Sequence, residues 1–254
     1  MVKKILSILL WAATAASLIV LFAFARKDYL RQPIQDIKLI PQSENGFVRK
    51  QELHDDLERI CGQVNIGAIN MMAIQKYMSS NPWIESSTSF VGLDGALNIS
   101  YIEHNPQFRV FDKNGNSVYV TDQCTIIPSR LSYTPYVPIA SGNFNFNGES
   151  VAYRLCDTMP QDLNLIRASH LLKNIEKNNF IQSCIGQIYC NEQNEFELTV
   201  RGLDAKVIFG DTCDTYNKLK KLEIFLKQRA NSLETKSMKS INLKYKNQIV
   251  CTKR

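Results

Sequence analysis

The sequence predicts an α+β chain: a single N-terminal transmembrane helix, a β-α-α-β-β domain, then a β-rich domain with two helices. Three observations predict it. One N-terminal run is apolar and uncharged. The next stretch of roughly 70 residues reads strand, helix, helix, strand, strand. The remaining residues are dominated by short strand signals with only two helical patterns.

The apolar run is Ile5 to Ala25, 21 residues in which only Ser7, Thr14 and Ser17 are polar. A helix of that length spans roughly 30 Å, the hydrocarbon thickness of a bilayer. Lys3 and Lys4 precede it; Arg26, Lys27 and Arg31 follow it. Ala23-Phe24-Ala25 has the small-x-small form of a signal-peptidase site, so a cleaved signal peptide competes with a retained anchor. The run exceeds the usual apolar region of about 7–15 residues in a signal peptide, which favours the anchor. The flanking charges do not decide orientation. An N-in anchor leaves only four residues inside, the simpler insertion, and is the orientation expected.

In the β-α-α-β-β stretch, Pro33 to Ile40 reads as a strand, and Pro41 and Gly46 bracket a turn. Lys50 to Cys61 is a helix through Leu53, Leu57 and Ile60, with Gly62 as its C-cap. Ala68 to Ser79 is a second helix, with Ile69, Met72, Ala73 and Tyr77 inward, stopped by Pro82. Ile84 to Val91 and Ala96 to Glu103 are strands joined at Gly92-Leu93-Asp94-Gly95. In the second of them Leu97, Ile99 and Tyr101 alternate with polar residues.

Beyond it, Phe108 to Phe111 and Ser117 to Val120 flank an Asn114-Gly115 turn. Proline-spaced segments run from Pro128 to Pro138. A helix covers Leu163 to Asn178, with Ala168, Leu171, Leu172 and Ile175 inward. Strands are expected at Ile181 to Cys190, Glu195 to Arg201 and Lys206 to Phe209. The last helix, Thr215 to Asn231, carries Leu219, Leu222, Phe225, Leu226 and Ala230 on its apolar face, with Tyr216 on the same side and lysines opposite. Ile241 to Tyr245 and Gln248 to Cys251 close the chain as short strands.

Composition excludes several classes. The hydrophobic fraction of 44% and charged fraction of 21% fit a folded chain, not a disordered or collagen-like one. The net charge of +6 is uneven: Tyr216 to Arg254 holds eleven Lys/Arg and two acids, a balance of +9 that leaves −3 for the rest. Those lysines lack aromatic residues interleaved on the same face, so they read as a solvated helix face, not a nucleic-acid site. The seven cysteines, at 61, 124, 156, 184, 190, 213 and 251, contain no C-x-x-C. Cys184 and Cys190, placed on one strand, stand about 20 Å apart, too far to bridge. Buried thiols are the plain reading. His54, His104 and His170 show no metal-ligand spacing and read as surface residues. No P-loop, dinucleotide-binding glycine pattern or nucleophile elbow occurs. Asp55-Asp56 points to two faces of a helix, so it reads as solvated acids. Asn98-Ile99-Ser100 is a weak glycosylation match inside a strand. So little convergent acid, base or metal chemistry favours a binding or scaffolding protein without a cofactor or a small-molecule substrate.

Several motifs, in order, resemble those of the FtsQ/DivIB cell-division proteins. Asn81-Pro82-Trp83-Ile84 is similar to the family's N-P-W-V. Leu97-Asn98-Ile99-Ser100 with Glu103 and Pro106 is similar to L-x-I-x-V-x-E-x-x-P. Val110 to Tyr119 is similar to its D-x-x-G hairpin, and Val137 to Gly142 to its V-P-x-x-x-G. Lys218 to Lys227 resembles K-L-x-x-L, and Ile241-Asn242-Leu243-Lys244-Tyr245 resembles I-D-L-R-Y. Asn242 and Lys244 depart from the commoner acid and arginine, and the Gly92–Gly95 hairpin lacks the usual basic and proline residues.

The resemblance implies a cytoplasmic tail at 1–4, a transmembrane helix at 5–25, a linker at 26–33, a POTRA-like domain at 34–104 and an FtsQ-like β domain at 105–254. It implies a non-catalytic scaffold of the division complex in the bacterial inner membrane, with its C-terminal domains periplasmic. Its partners would be FtsB/DivIC-like and FtsL-like bitopic proteins, bound by strand addition at the last strands. Here that maps onto Ser240, Ile241, Asn242, Leu243, Lys244 and Tyr245 with Ile249, Val250, Cys251 and Thr252. Lys244 and Lys246 would suit an acidic partner and guard the edge. Ser86 to Phe90 is a second candidate contact strand. Three rivals stand beside this reading: a POTRA-bearing protein of outer-membrane assembly or secretion, an exported cell-wall enzyme, and a secreted protein if Ala23-Phe24-Ala25 is cleaved.

Overall fold

The computed structural model describes residues 2–43, 45–62, 64–130, 132–146, 152–154, 163–229 and 238–254. Asn231 and Ala230, expected in the last helix, and Cys156 lie outside them. The chain divides between Glu103 and His104 into two compact units.

The first unit opens with helix α1, Val2–Arg31. It is the one helix among the described residues long and apolar enough to cross a membrane. Residues 26–31, expected as a linker, instead continue this helix, because no proline or glycine interrupts the chain before Pro33. The Tyr29 hydroxyl donates to the Gly92 carbonyl at 2.7 Å and ties the helix end to the unit.

Strand β1, Ile37–Pro41, starts later than Pro33, since Pro33 bridges to Asn65 instead. Helix α2, Lys50–Cys61, has the expected bounds, and the Gly62 N–H closes it on the Glu58 carbonyl. Its buried residues are Leu53, Leu57 and Cys61; Ile60, expected inward, is exposed. Helix α3 is Met71–Ser80, not Ala68 onward: Ile66–Ala68 forms a 3-10 turn, and the Asn70 side chain accepts the Ala73 N–H as the N-cap. The later start turns Ile74 and Met78 inward and leaves Met72 83% exposed.

Asp56 takes the Arg59 guanidinium and the Tyr77 hydroxyl, so it joins α2 to α3 and is more than a solvated acid. Burial first, then the Asp56 bond, pushes the Tyr77 hydroxyl far above its ordinary range. Strands β2, Ile84–Val91, and β3, Leu97–Glu103, complete a three-stranded sheet of order β1-β3-β2, with β3 parallel to β1 and antiparallel to β2. Leu97, Ile99 and Tyr101 are buried, as their alternation requires.

The second unit contains β4, Pro106–Phe111; β5, Ser117–Thr121; β6, Thr125–Pro128; β7, Ile139–Gly142; and β8, Tyr153–Arg154. Helices α4, Leu163–Glu176, and α5, Asn179–Cys184, follow. Then come β9, Ile185–Cys190; β10, Phe196–Val200; β11, Lys206–Gly210; α6, Thr215–Arg229; β12, Met238–Asn242; and β13, Val250–Lys253. The sheet runs β13-β12-β11-β10-β9-β7-β4-β5-β6-β8.

Facing residues fix this sheet. Val118, Val110, Ala140, Ile188, Leu198, Val207 and Ile241 pair across β5, β4, β7, β9, β10, β11 and β12 as one buried row. They form one core with Leu165, Leu171 and Leu172 of α4, Ile181 of α5, and Leu222 and Leu226 of α6. Gly142 at the end of β7 is required: its φ is +112°, and a Cβ there would meet the Cys190 carbonyl oxygen at 2.1 Å.

Among its described residues the second unit has three helices where two were expected. Residues 181–184 form the end of α5, not the start of a strand, because the Asn178 side chain accepts the Ile181 N–H and caps a helix there. Cys184 therefore does not share a strand with Cys190. Of the described cysteines only Cys61 and Cys190 are buried, while Cys213 is exposed. Burial pushes the Cys190 thiol up to about 11. His104, expected at the surface, is buried. Tyr216, expected on the apolar face of α6, is 69% exposed, and Lys218 of the polar face is buried.

Candidate partner-binding edge

The order of the large sheet determines where a further strand could add. β12 lies between β11 and β13, so Ser240, Ile241 and Asn242 are interior to the sheet. Ile241 and Leu243 are core residues, and the Leu243 N–H donates to the Ile208 carbonyl at 2.9 Å. The expected strand Ile241 to Tyr245 instead runs Met238 to Asn242. Its parallel ladder with β11 spans Lys206 to Ile208 against Ser240 to Asn242, and Lys244 and Tyr245 lie beyond it.

The terminal strand is β13. Val250, Cys251 and Thr252 belong to it, together with Lys253, which the sequence did not single out. Cys251 pairs opposite Ile241 and packs against the core, while Val250 and Thr252 are exposed. Ile249 packs against the same core. Among the described residues β13 pairs with a strand on one side only, the arrangement that suits addition of a partner strand on the other. Tyr245, in the connection that leads into β13, is 49% exposed.

The connection from β12 to β13 is held by two lysines. Lys221 of α6 donates from Nζ to the carbonyl oxygens of Leu243 at 3.2 Å, Tyr245 at 2.6 Å and Lys246 at 3.4 Å. Lys244 is tied on the other side: its Nζ lies 2.6 Å from Glu195 Oε1, and that bond raises its pKa. Its stem crosses Gly210, where a Cβ would lie 2.7 Å from Lys244 Cγ. Lys244 is thus committed within the chain, whereas it was expected to meet an acidic partner. Lys218 lies 2.6 Å from Asp211, Lys227 lies 2.5 Å from Glu223, and Arg254 lies 3.6 Å from Asp204. Four of the eleven C-terminal basic residues thus meet a carboxylate among the described residues.

The candidate residues at Ser86 to Phe90 lie on β2, an edge of the small sheet, and Phe90 is exposed. Among the described residues no three His, Cys, Asp or Glu side chains are grouped as for a metal ion. Lys221 and Glu195 were invisible to sequence reading. Lys221 falls within the Lys218 to Lys227 motif but reads there as one of the solvated lysines, and Glu195 lies in no motif; only the fold brings them to the connection.

No curated protein matches the chain. The model of the family described as FtsQ/DivIB, C-terminal related, matches residues 105–252. That span takes in more than half of the 254 residues and reaches from β4 into β13. The chain belongs to the FtsQ/DivIB C-terminal related family of cell-division proteins.

Proposed function

We propose that this protein is a non-catalytic, single-pass membrane scaffold of the bacterial division complex. Its N-terminus lies in the cytoplasm, and its two folded units lie on the outer side of the inner membrane at the division site. The β-α-α-β-β unit at residues 34–104 serves as a POTRA-like module. The large sheet binds FtsB/DivIC-like and FtsL-like bitopic proteins by strand addition along β13. The observation that carries this reading is the sheet order among the described residues, which ends on β13, with a half-exposed tyrosine in the connection leading into it. Main-chain bonding supplies affinity in such a mode, and side chains beside the edge supply specificity. Val250, Thr252 and Tyr245 form the contact surface. Ser240, Ile241, Asn242 and Leu243 support it from behind, and Ile249 and Cys251 anchor it to the core.

The test is photo-crosslinking in cells from position 245, with the product identified by mass spectrometry. The expected product joins the chain to a small bitopic coiled-coil division protein. Crosslinks confined to the chain itself would overturn the edge reading and move the search to β2. Tyr245→Glu is expected to block division while the fold persists. Deleting Val250 to Arg254 is the cleaner truncation, because a longer one removes the buried Ile241 and Leu243. Normal division in both strains would refute the scaffold role of this edge.

A further inference from the structure

Helix α6 is fixed on the sheet by Leu222, Phe225 and Leu226, all buried. That fixes the base of Lys221 next to the segment between β12 and β13. Residues 243–249 contain no helix or strand, and the Leu243 N–H, bonded to the Ile208 carbonyl of β11, is where the ladder ends. Other lysines of α6 meet carboxylates: Lys218 meets Asp211 and Lys227 meets Glu223. Lys221 is aimed at the backbone, and its ammonium reaches three carbonyls of this one segment. An ammonium has three N–H donors, so one side chain is saturated by one short stretch of chain.

We propose that Lys221 is the positioning residue of the partner-binding edge. It orders residues 243–246 before any partner arrives. That sets the line along which β13 leaves the turn and the place from which Tyr245 projects. Lys244 secures the same segment from the other side through Glu195, over Gly210. An edge ordered in advance loses less conformational freedom on binding, so its affinity for a partner strand is higher. The inference rests on the strand-addition reading and adds the device that makes the edge competent.

The experiment uses the full-length chain in cells, with a photoreactive residue at Val250 so that Tyr245 is retained. The comparison is between the wild type, Lys221→Met, Lys221→Arg and Lys220→Met. The last removes a neighbouring exposed lysine and so controls for net charge. Amide exchange and thermal melting of the purified full-length variants are measured alongside.

Losing charge-assisted bonds to the three carbonyls in Lys221→Met is expected to lower the intermolecular yield about tenfold. Exchange should speed up within 243–250 while the rest of the unit stays protected. Lys221→Arg, which keeps charge and donors, should restore the yield, and Lys220→Met should match the wild type. A wild-type yield in Lys221→Met overturns the proposal. So does equal damage from Lys220→Met, failure of Lys221→Arg to rescue, or exchange that rises throughout the unit. If the wild type itself gives no intermolecular product from Val250, the edge reading fails and this inference falls with it. If it gives that product undiminished in Lys221→Met, only the positioning role fails.

Discussion

The two units fasten an irregular segment in opposite ways. In the small unit a carboxylate captures N–H groups: Glu103, at the end of β3, accepts from Phe47 at 2.7 Å and Val48 at 3.2 Å. In the large unit an ammonium captures carbonyls: Lys221 takes those of Leu243, Tyr245 and Lys246. The chemistry is mirrored, but the surroundings are not. Glu103 is only 4% exposed, and Phe47 and Val48 are buried with it. Lys221 is half-buried, and Tyr245 and Lys246 stand in solvent. Water can replace the bonds to Tyr245 and Lys246 and cannot replace either bond to Glu103. Burial therefore makes one clasp part of the core and leaves the other able to order a surface without holding up the fold.

Glu103→Ala is the strongest way to break that contrast. It leaves two buried N–H groups without this acceptor, and the expected loss is about 3 kcal/mol. Trp83 packs against the small core, so denaturant unfolding followed by tryptophan fluorescence reads it. A loss as small as that of Lys221→Met would mean that burial does not separate the two clasps.

Gly210→Ala comes next and tests the large unit. At φ +79° an added Cβ is strained, and it would lie 2.7 Å from Lys244 Cγ. The expected cost is about 1–2 kcal/mol, read by thermal melting. Replacing Lys244 by Ala in the same chain should recover the part due to the contact and leave the part due to φ.

The same contrast explains what the sequence could tell. Helix α2 was legible to the residue, because a 3.6-residue period and a closing glycine are local signals. The alternation of Leu97, Ile99 and Tyr101 gave β3 for the same reason. β7 was not legible: four residues of Ile-Ala-Ser-Gly have no alternation to read, and they become a strand because β4 and β9 flank them. Residues 181–184, Ile-Gln-Ser-Cys, read as strand because four residues are too few to show either period, and the cap at Asn178 decides it. At the candidate site, the motif Ile241 to Tyr245 pointed to the C-terminal strands. It could not show that β12 is interior, since edge or centre depends on which strands pair across the fold. Nor could it show that Lys244 is bound to a glutamate 49 residues away.

Asp211 offers a smaller test, intermediate between the two clasps. Lys218 is 7% exposed and bonds to the Asp211 carbonyl and carboxylate, while the Asp211 side chain is 62% exposed. The Lys218 hydrogen bond holds the Asp211 pKa below its ordinary 3.8. A lowered acid pKa stabilises the fold above the unfolded value and loses that contribution as pH falls through the folded one. Asp211→Asn should therefore cost about 1 kcal/mol at neutral pH, after solvent screening is allowed for, with the gap to the wild type closing below about pH 4. Melting curves across an acid series read this. A gap that persists in acid would show that the main-chain bond, not the charge, holds Lys218.

The smallest effect belongs to the exposed pair of Lys244 and Glu195. Its geometry is close, at 2.6 Å, yet both side chains meet water, and such pairs are screened by salt. Lys244→Ala should melt like the wild type at physiological ionic strength and separate from it only at low salt. The bond to Glu195 raises the Lys244 pKa above 10.5. A raised base pKa stabilises below the unfolded value and loses that contribution as pH rises through the folded one. The low-salt difference should thus be constant near neutrality and close in alkali above about pH 10.5. If Lys244→Ala instead lowered the melting point clearly in high salt, the stem lying over Gly210 would matter more than the charge at its end. The second tether of the connection would then belong with Glu103, as packing, and not with Lys221.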